Sequence, residues 1–343
     1  MKHSSIINNK ILAYYKDNKR PLPWRTRLDN DQNPYYTLVS EVMLQQTQVN
    51  TVLGYYKKFI EKWPTIESLA NADLEELLVM WSGLGYYNRA KNLLKTAKII
   101  LIDYNKVIPR DKVQLLKLPG IGEYTAAAIM SFAFGKHEFA LDTNVKRFLG
   151  RVYDLNDSIL SNKNELEKYS IKVFPKKNSG KFAQAVMDFS SAICTKVKPA
   201  CNDCFLRKNC KYLGKSKKTQ KVLSSKIIIK KFSIVQLYLY QKKYFFLTKR
   251  PLNKILGGLY EVPGSEWSIE GWPVIPKHLK KKPLLVDVIK HKFSHFELKT
   301  KIMVIHMKSK SLKKENGKWL TKKDLSKIPI STLTKKILAY SLK

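Results

Sequence analysis

The sequence predicts a two-part protein: a mostly α-helical region over residues 1–214, a basic linker over 215–230 and an α+β domain over 231–343. Three observations predict it. Apolar residues recur at helical spacing through the first part, and the periodicity turns strand-like from about residue 231. All four cysteines fall within seventeen residues, Cys194 to Cys210. Between the two regimes, residues 211–230 hold seven Lys and no acid, as a solvated linker does. With 343 residues, 44% of them apolar, the chain has material for more than one core.

In the helical part, Asn33-Pro34 ahead of Tyr35 reads as an N-cap followed by proline at the first helical position, opening a helix through Leu38, Val42 and Gln45. A second helix is predicted from Leu74 to Trp81, ended by Gly83 and Gly85. A third spans Tyr124 to Phe134, rich in alanine and stopped by Gly135. In the C-terminal part, strands are predicted at Ile234–Tyr240, Tyr244–Thr248 and Lys301–Met307, with turns at Gly257-Gly258 and Pro263-Gly264. No internal repeat is present.

The formal charge of +37 points to a polyanionic partner, nucleic acid before any other. Yet 55 Lys stand against 9 Arg, the bias left by codon drift in a genome rich in A and T, so the charge supports nucleic-acid binding without establishing it. The arginines say more, because a guanidinium can hold phosphate through two parallel hydrogen bonds. Six of the nine, Arg20, Arg25, Arg27, Arg89, Arg147 and Arg151, lie in the N-terminal half near the motifs described below. No apolar run approaches the roughly 20 residues a bilayer span needs. The first twenty residues lack the apolar core of a signal peptide. A cytoplasmic location is expected, where structural disulfides are not.

Cys194, Cys201, Cys204 and Cys210 are separated by six, two and five residues. Four thiolates this close can surround one metal centre, and the single Cys-x-x-Cys knuckle suits a [4Fe–4S] cluster better than a zinc ribbon. The spacing resembles that of the helix-hairpin-helix DNA glycosylases of the endonuclease III superfamily. The resemblance extends to Leu118-Pro119-Gly120-Ile121-Gly122, whose glycines would gather backbone N–H groups against a DNA phosphate. It extends also to Asp142, twenty residues after Gly122. It implies a six-helix barrel carrying the hairpin over about 22–137, and a cluster subdomain from 1–21 and 138–214. It implies further that the cluster is structural and lies near the DNA backbone, with Lys196, Lys198, Arg207, Lys208 and Lys211 around it.

Within the superfamily, Ser40-Glu41-Val42-Met43-Leu44-Gln45-Gln46-Thr47-Gln48-Val49 and Trp81-Ser82-Gly83-Leu84-Gly85-Tyr86-Tyr87 closely resemble the adenine DNA glycosylases. Tyr124 stands where endonuclease III-type enzymes carry the lysine that makes a Schiff base. The resemblance covers residues 20–210 and implies the roles of the residues. Glu41 is the acid and base, Asp142 stabilises the sugar cation, and Tyr124 assists. Trp24, Arg25 and Gln184 line the base pocket, and Gln46 and Tyr86 wedge into the vacated stack. Leu118, Gly120 and Gly122 grip the backbone. Two features depart from the pattern: a longer segment between Arg25 and Pro34, and Thr143 where adenine glycosylases carry glycine.

Gly257-Gly258-Leu259-Tyr260-Glu261-Val262-Pro263-Gly264 resembles the opening of a Nudix fold without the catalytic Nudix box. This implies a domain that binds rather than hydrolyses. Phe293-Ser294-His295 matches the loop with which adenine glycosylases recognise 8-oxoguanine. The expected function is hydrolysis of adenine from double-stranded DNA opposite 8-oxoguanine or guanine, by a monomer that does not touch membranes. The rivals are a pyrimidine glycosylase/lyase and a catalytically silent damage-binding protein.

Overall fold

The computed structural model describes residues 2–25, 33–212, 229–274, 284–312 and 316–342. Residues 215–228 of the linker, Arg27 and the segment 26–32 lie outside the described residues. By packing, the chain divides into two units, Met1–Asn71 with Asn92–Gln220, and Ala72–Lys91 with Lys221–Lys343. The helices are α1 (Lys2–Asn18), α2 (Pro34–Leu44), α3 (Val49–Lys62), α4 (Ile66–Ala70), α5 (Leu74–Met80), α6 (Asn88–Asp103), α7 (Lys112–Leu116), α8 (Glu123–Ala128), α9 (Thr143–Val152), α10 (Asp157–Ser161), α11 (Lys163–Val173), α12 (Ser179–Ala192) and α13 (Thr332–Leu338). Among the described residues, none is long and apolar enough to cross a membrane.

The first unit is helical. Asn33 caps α2 through its side chain, which accepts from Tyr35 N at 2.9 Å, with Pro34 at the first position. One core joins α1, α9, α11 and α12: Ile7, Ile11 and Tyr15 repeat every four residues along α1 and bury against Phe148, Phe182 and Phe189. The alanine-rich helix departs from its predicted form. It begins at Glu123, runs as α-helix to Ala128, and continues as a π-turn over Ile129–Ala133 before Gly135 (φ 62°) ends it. In the π-turn the Ser131 hydroxyl donates back to Ala127 O at 2.7 Å, and Gly180 of α12 packs against the same turn. A Cβ on Gly180 would lie 2.3 Å from Ser131 O, so the close approach requires glycine.

The second unit is built on a mixed sheet. Its strands are β1 (Ile229–Tyr240), β2 (Tyr244–Lys249), β3 (Tyr260–Glu261), β4 (Leu284–Lys292), β5 (Phe296–Met307) and β6 (Gly317–Leu320), in the order β3-β2-β1-β5-β4, with β6 on β2. β1 runs parallel to β5 over its whole length, from Ile229 opposite Phe296 to Tyr240 opposite Met307. Ile229 and Lys230, read as linker, are the first residues of this strand. From Ser233 to Leu239 β1 is buried on both faces, which explains an apolar run from Ile234 to Leu239 broken only by Gln236. α13 closes the core with Leu333, Ile337 and Leu338. Residues 72–91 join this unit through the Glu75–Lys249 ion pair (2.5 Å) and through Ser82 and Tyr87, whose hydroxyls donate to Ile330 O at 3.3 and 3.4 Å.

Candidate active site

Each chemistry-bearing side chain of the first unit arrives on a different element. α2 delivers Glu41, α8 Tyr124, the start of α9 Asp142, α12 Gln184, and the short 3₁₀ turn Pro23–Arg25 delivers Trp24 and Arg25. They line one cavity of about 720 Å³, together with Gln46, Thr143 and Asn144. A flipped base needs a cavity of this order.

Glu41 is 6% exposed. Burial pushes its pKa up to about 7, and Asp142 nearby adds to the rise. A hydrogen bond from Tyr124 and the charge of Arg25 oppose it. Tyr124 is held well above the usual phenol range, by burial first and then by the two carboxylates. Asp142 is the N-cap of α9: its Oδ1 accepts from Val145 N at 2.7 Å, and its Oδ2 from Asn144 Nδ2 at 2.7 Å. Burial raises the Asp142 carboxyl, and those hydrogen bonds hold the rise back. Two carboxyl groups in one partly dry pocket, one near neutrality and one tied into a helix cap, can divide acid and anion roles.

The pocket's other side is a polar wall. Gln184 Oε1 accepts from the buried Tyr15 hydroxyl at 3.0 Å. Arg25 donates to Asp188 at 2.8 Å, and Trp24 packs edge-on against Tyr56 with ring centroids 5.1 Å apart. Arg20, Leu22, Arg25, Phe132 and Gln184 also face a larger cavity of about 1060 Å³, lined by Lys16, Lys19, Lys57, Lys176, Lys177 and Lys181. Tyr15 and Asp188 were not legible in the sequence, and Arg20 was read there as a phosphate-binding group. The one available signal was an acid four residues after Gln184 in the mostly apolar stretch from Phe182 to Phe189.

Of the six arginines read from the sequence as phosphate-binding groups, the five among the described residues are engaged within the protein. Arg20 and Arg25 meet Asp188, and Arg89 donates to Leu84 O and Gly85 O. Arg147 donates to Ser190 O and Cys194 O, and Arg151 to Thr195 O and Lys196 O. Their planar donors fit main-chain carbonyls that a lysine would satisfy less well. Cations left on the surface around the cysteines are Lys196, Lys198, Arg207, Lys208 and Lys211.

Cys194, Cys201, Cys204 and Cys210 form no disulfide and line one small cavity with Arg151, Ile193, Leu206 and Tyr212. Arg151 reaches Cys194 Sγ at 3.5 Å. In the hairpin, Gly120 has φ 80°, and a Cβ there would lie 2.9 Å from Asn92 Cβ. Leu118 is buried, and Gly122 stands at the N-cap of α8 with no side-chain cap. Gln45 bridges the Gln45-Gln46-Thr47 turn to the hairpin, donating to Gly120 O at 3.4 Å. Gln46 itself is left-handed, with φ 55°.

The remaining predicted residues belong to the second unit. Phe293-Ser294-His295 forms the turn between β4 and β5, with Phe293 stacked on Phe296 at 4.6 Å. Tyr86 is left-handed (φ 47°) and 45% exposed, its ring under the Arg89 guanidinium at 5.6 Å. Its hydroxyl shares a hydrogen bond with that of Ser294.

Known proteins bear on this geometry. Residues 39–176 match the HhH-GPD superfamily of base excision DNA repair proteins, and residues 235–340 match the NUDIX domain. The adenine DNA glycosylase of Buchnera aphidicola subsp. Schizaphis graminum is 34% identical across 97% of this chain and 98% of its own length. That of Buchnera aphidicola subsp. Baizongia pistaciae is 39% identical across 83% and 81%. Among solved structures, a thermostable thymine-DNA glycosylase aligns with TM-score 0.55 and 31% identity over 62% of this chain and 96% of its own. A non-covalent endonuclease III–DNA complex aligns with TM-score 0.52 and 28% identity over 61% and 94%. The chain therefore belongs to the adenine DNA glycosylases, base-excision-repair enzymes that act on DNA, with a helix-hairpin-helix domain followed by a Nudix domain.

Proposed function

We propose that this enzyme hydrolyses the N-glycosidic bond of adenine paired with 8-oxoguanine or guanine, and that Glu41 is its acid. The observation that carries the reading is the placement of Glu41 and Asp142 in one pocket, with Glu41 pushed up to about 7. A carboxyl poised there is half protonated near neutral pH, the condition for a general acid.

Adenine enters the pocket flipped out of the stack. Glu41 gives its proton to the purine ring at N7, the C1′–N9 bond breaks, and the base leaves with the bonding electrons. Asp142 faces the sugar cation, and its α9 hydrogen bonds hold the carboxylate in position. Glu41, now ionised and held by Tyr124, takes a proton from the water that adds to C1′. Gln184, anchored through Oε1, turns its amide to the adenine edge. With tyrosine rather than lysine at position 124, no amine attacks the sugar from that helix, so strand cleavage is not intrinsic.

The four cysteines fit a [4Fe–4S] cluster. None is joined in a disulfide and all four line one cavity, with the single Cys-x-x-Cys knuckle that suits such a cluster. Bound by Cys194, Cys201, Cys204 and Cys210, the cluster would act structurally, shaping a loop whose lysines meet the DNA backbone. Gly120 and Gly122 offer main-chain N–H groups to a phosphate, and Gln46 and Tyr86 fill the vacated stack. Phe293, Ser294 and His295 form the loop that reads 8-oxoguanine. The enzyme acts as a cytoplasmic monomer.

The test is a single-turnover assay on duplexes with adenine opposite 8-oxoguanine, guanine or cytosine, beside a thymine glycol duplex, with and without alkali. Adenine release opposite the first two, with strand breaks only after alkali, is expected. Cleavage of the thymine glycol strand before alkali would replace this reading with a pyrimidine glycosylase/lyase.

A further inference from the structure

Asp188 lies one helical turn beyond Gln184 on α12, is 2% exposed, and does not line the base pocket. Yet two residues that do line it are tied to Asp188. Its Oδ1 accepts from Arg20 Nε at 2.6 Å, and its Oδ2 from Arg20 N at 3.0 Å and from an Arg25 terminal nitrogen at 2.8 Å. The Arg25 side chain is itself 9% exposed. From Asp188 it extends toward Glu41, whose carboxyl its charge acts on, and its guanidinium stands over the Tyr15 ring at 5.9 Å. Tyr15 in turn holds Gln184. A loop of contacts thus leaves α12 at Asp188, passes through Arg25 and Tyr15, and returns to α12 at Gln184. Buried charges persist when they are paired and hydrogen-bonded, and a guanidinium this enclosed has few other places to go.

We propose that Asp188 is a positioning residue for adenine excision. It fixes Arg25 so that the acid Glu41 and the base-reading amide of Gln184 keep one mutual geometry. The inference rests on the reading of Glu41 as the acid and of adenine as the base removed. Asp188 touches neither substrate nor reacting atoms, so its effect falls on the rate of the chemical step rather than on DNA affinity.

The test uses the full chain with its metal centre as purified, in single-turnover assays of adenine release opposite 8-oxoguanine. Reaction amplitude counts folded active sites, and the rate constant reports their geometry. Asp188→Asn is expected to keep the amplitude and lose about 10- to 100-fold in rate constant, the scale of a small misplacement. Affinity for a duplex with non-hydrolysable 2′-fluoro-adenosine should stay unchanged, and Asp188→Glu should recover part of the rate. Arg25→Gln combined with Asp188→Asn should be no slower than Arg25→Gln alone. An Asp188→Asn variant that loses amplitude at an unchanged rate constant has lost only a structural contact and overturns the proposal, as does strict additivity with Arg25→Gln. If Asp188→Asn does not fold, Tyr15→Phe interrogates the same loop from its other end. A slowed rate at full amplitude supports the proposal, and an unchanged rate overturns it. A wild type inactive on every adenine mispair defeats the functional reading instead, which separates the two failures.

Discussion

The hydroxyl of Tyr124, on α8, donates a hydrogen bond to the carboxyl of Glu41, on α2. That bond favours the ionised carboxylate, while burial opposes it. Tyr124→Phe removes the donor and leaves burial to act, so the Glu41 pKa moves up from its value of about 7. In the proposed mechanism the protonated form starts the reaction, so the alkaline limb of the single-turnover pH profile should shift to higher pH. A limb that stays in place or moves to lower pH overturns this link.

Glu41→Gln removes the titrating group with little change of shape. Adenine release should fall by about 10²- to 10⁴-fold, while binding to the mispair persists. Stability should move the other way. The folded pKa of Glu41 lies near 7 and above its ordinary value of 4.5, so the folded state binds the proton more tightly. The contribution of the wild-type residue is therefore full below about pH 4.5 and is lost as pH rises through 7. The glutamine variant should melt higher than wild type at pH 8, by roughly 3 kcal/mol at most, and by nothing comparable at pH 4. Denaturant titrations at the two pH values decide it.

Asp142 has two functions that substitution can separate. Asparagine keeps an acceptor for Val145 N and so preserves the cap of α9, but it removes the charge proposed to face the sugar. Asp142→Asn should lose adenine release at near-native stability, whereas Asp142→Ala should also lose about 1 kcal/mol in urea unfolding. Equal stability of the two variants would show that the cap contributes nothing.

Much of this site was readable because its residues sit in short, dense motifs. Glu41 lies among apolar and amide neighbours, Gly120 and Gly122 frame a turn that needs a left-handed residue, and the cysteines crowd together. What linear order hides is convergence. Positions 41, 124, 142 and 184 say nothing of a shared pocket, and Asp188 looks like any helix acid until Arg20 and Arg25 are seen folded onto it. Nor does the sequence show the arginines' partners within the protein, since one guanidinium serves a phosphate, a carboxylate or a carbonyl equally well. In the second unit, β1, β2 and β5 were visible as apolar runs, although β1 and β5 begin five residues before the predicted strands. β4 was missed because its length carries Asp287, Lys290 and Lys292 on a partly exposed strand, which breaks the apolar signal. The π-turn after Ala128 has no local sequence mark, since it depends on Gly180 arriving from α12.

Ser294 tests the lesion-reading loop. Ser294→Ala removes the hydroxyl that Tyr86 engages and that would meet the altered edge of 8-oxoguanine. The preference for adenine opposite 8-oxoguanine over adenine opposite guanine should narrow by roughly 5- to 10-fold, as loss of one neutral hydrogen bond implies. Paired single-turnover assays that return an unchanged ratio would remove Ser294 from recognition.

The cysteine loop is open to direct chemical assay. Purified protein should be brown and contain iron and inorganic sulfide in equal amounts. Cys201→Ser should lose both, and with them DNA affinity. Colourless wild-type protein loaded with zinc would falsify the cluster assignment.

The contact between Gly180 and Ser131 joins two stretches of main chain, with no side chain between them to reorient. A shift on one side has no rotamer to absorb it. The segment that continues the hairpin helix and the helix bearing Gln184 and Asp188 are therefore seated like two parts of one casting. A displacement of either segment is therefore felt directly by the other. Any residue larger than glycine at position 180 would force these two backbones apart.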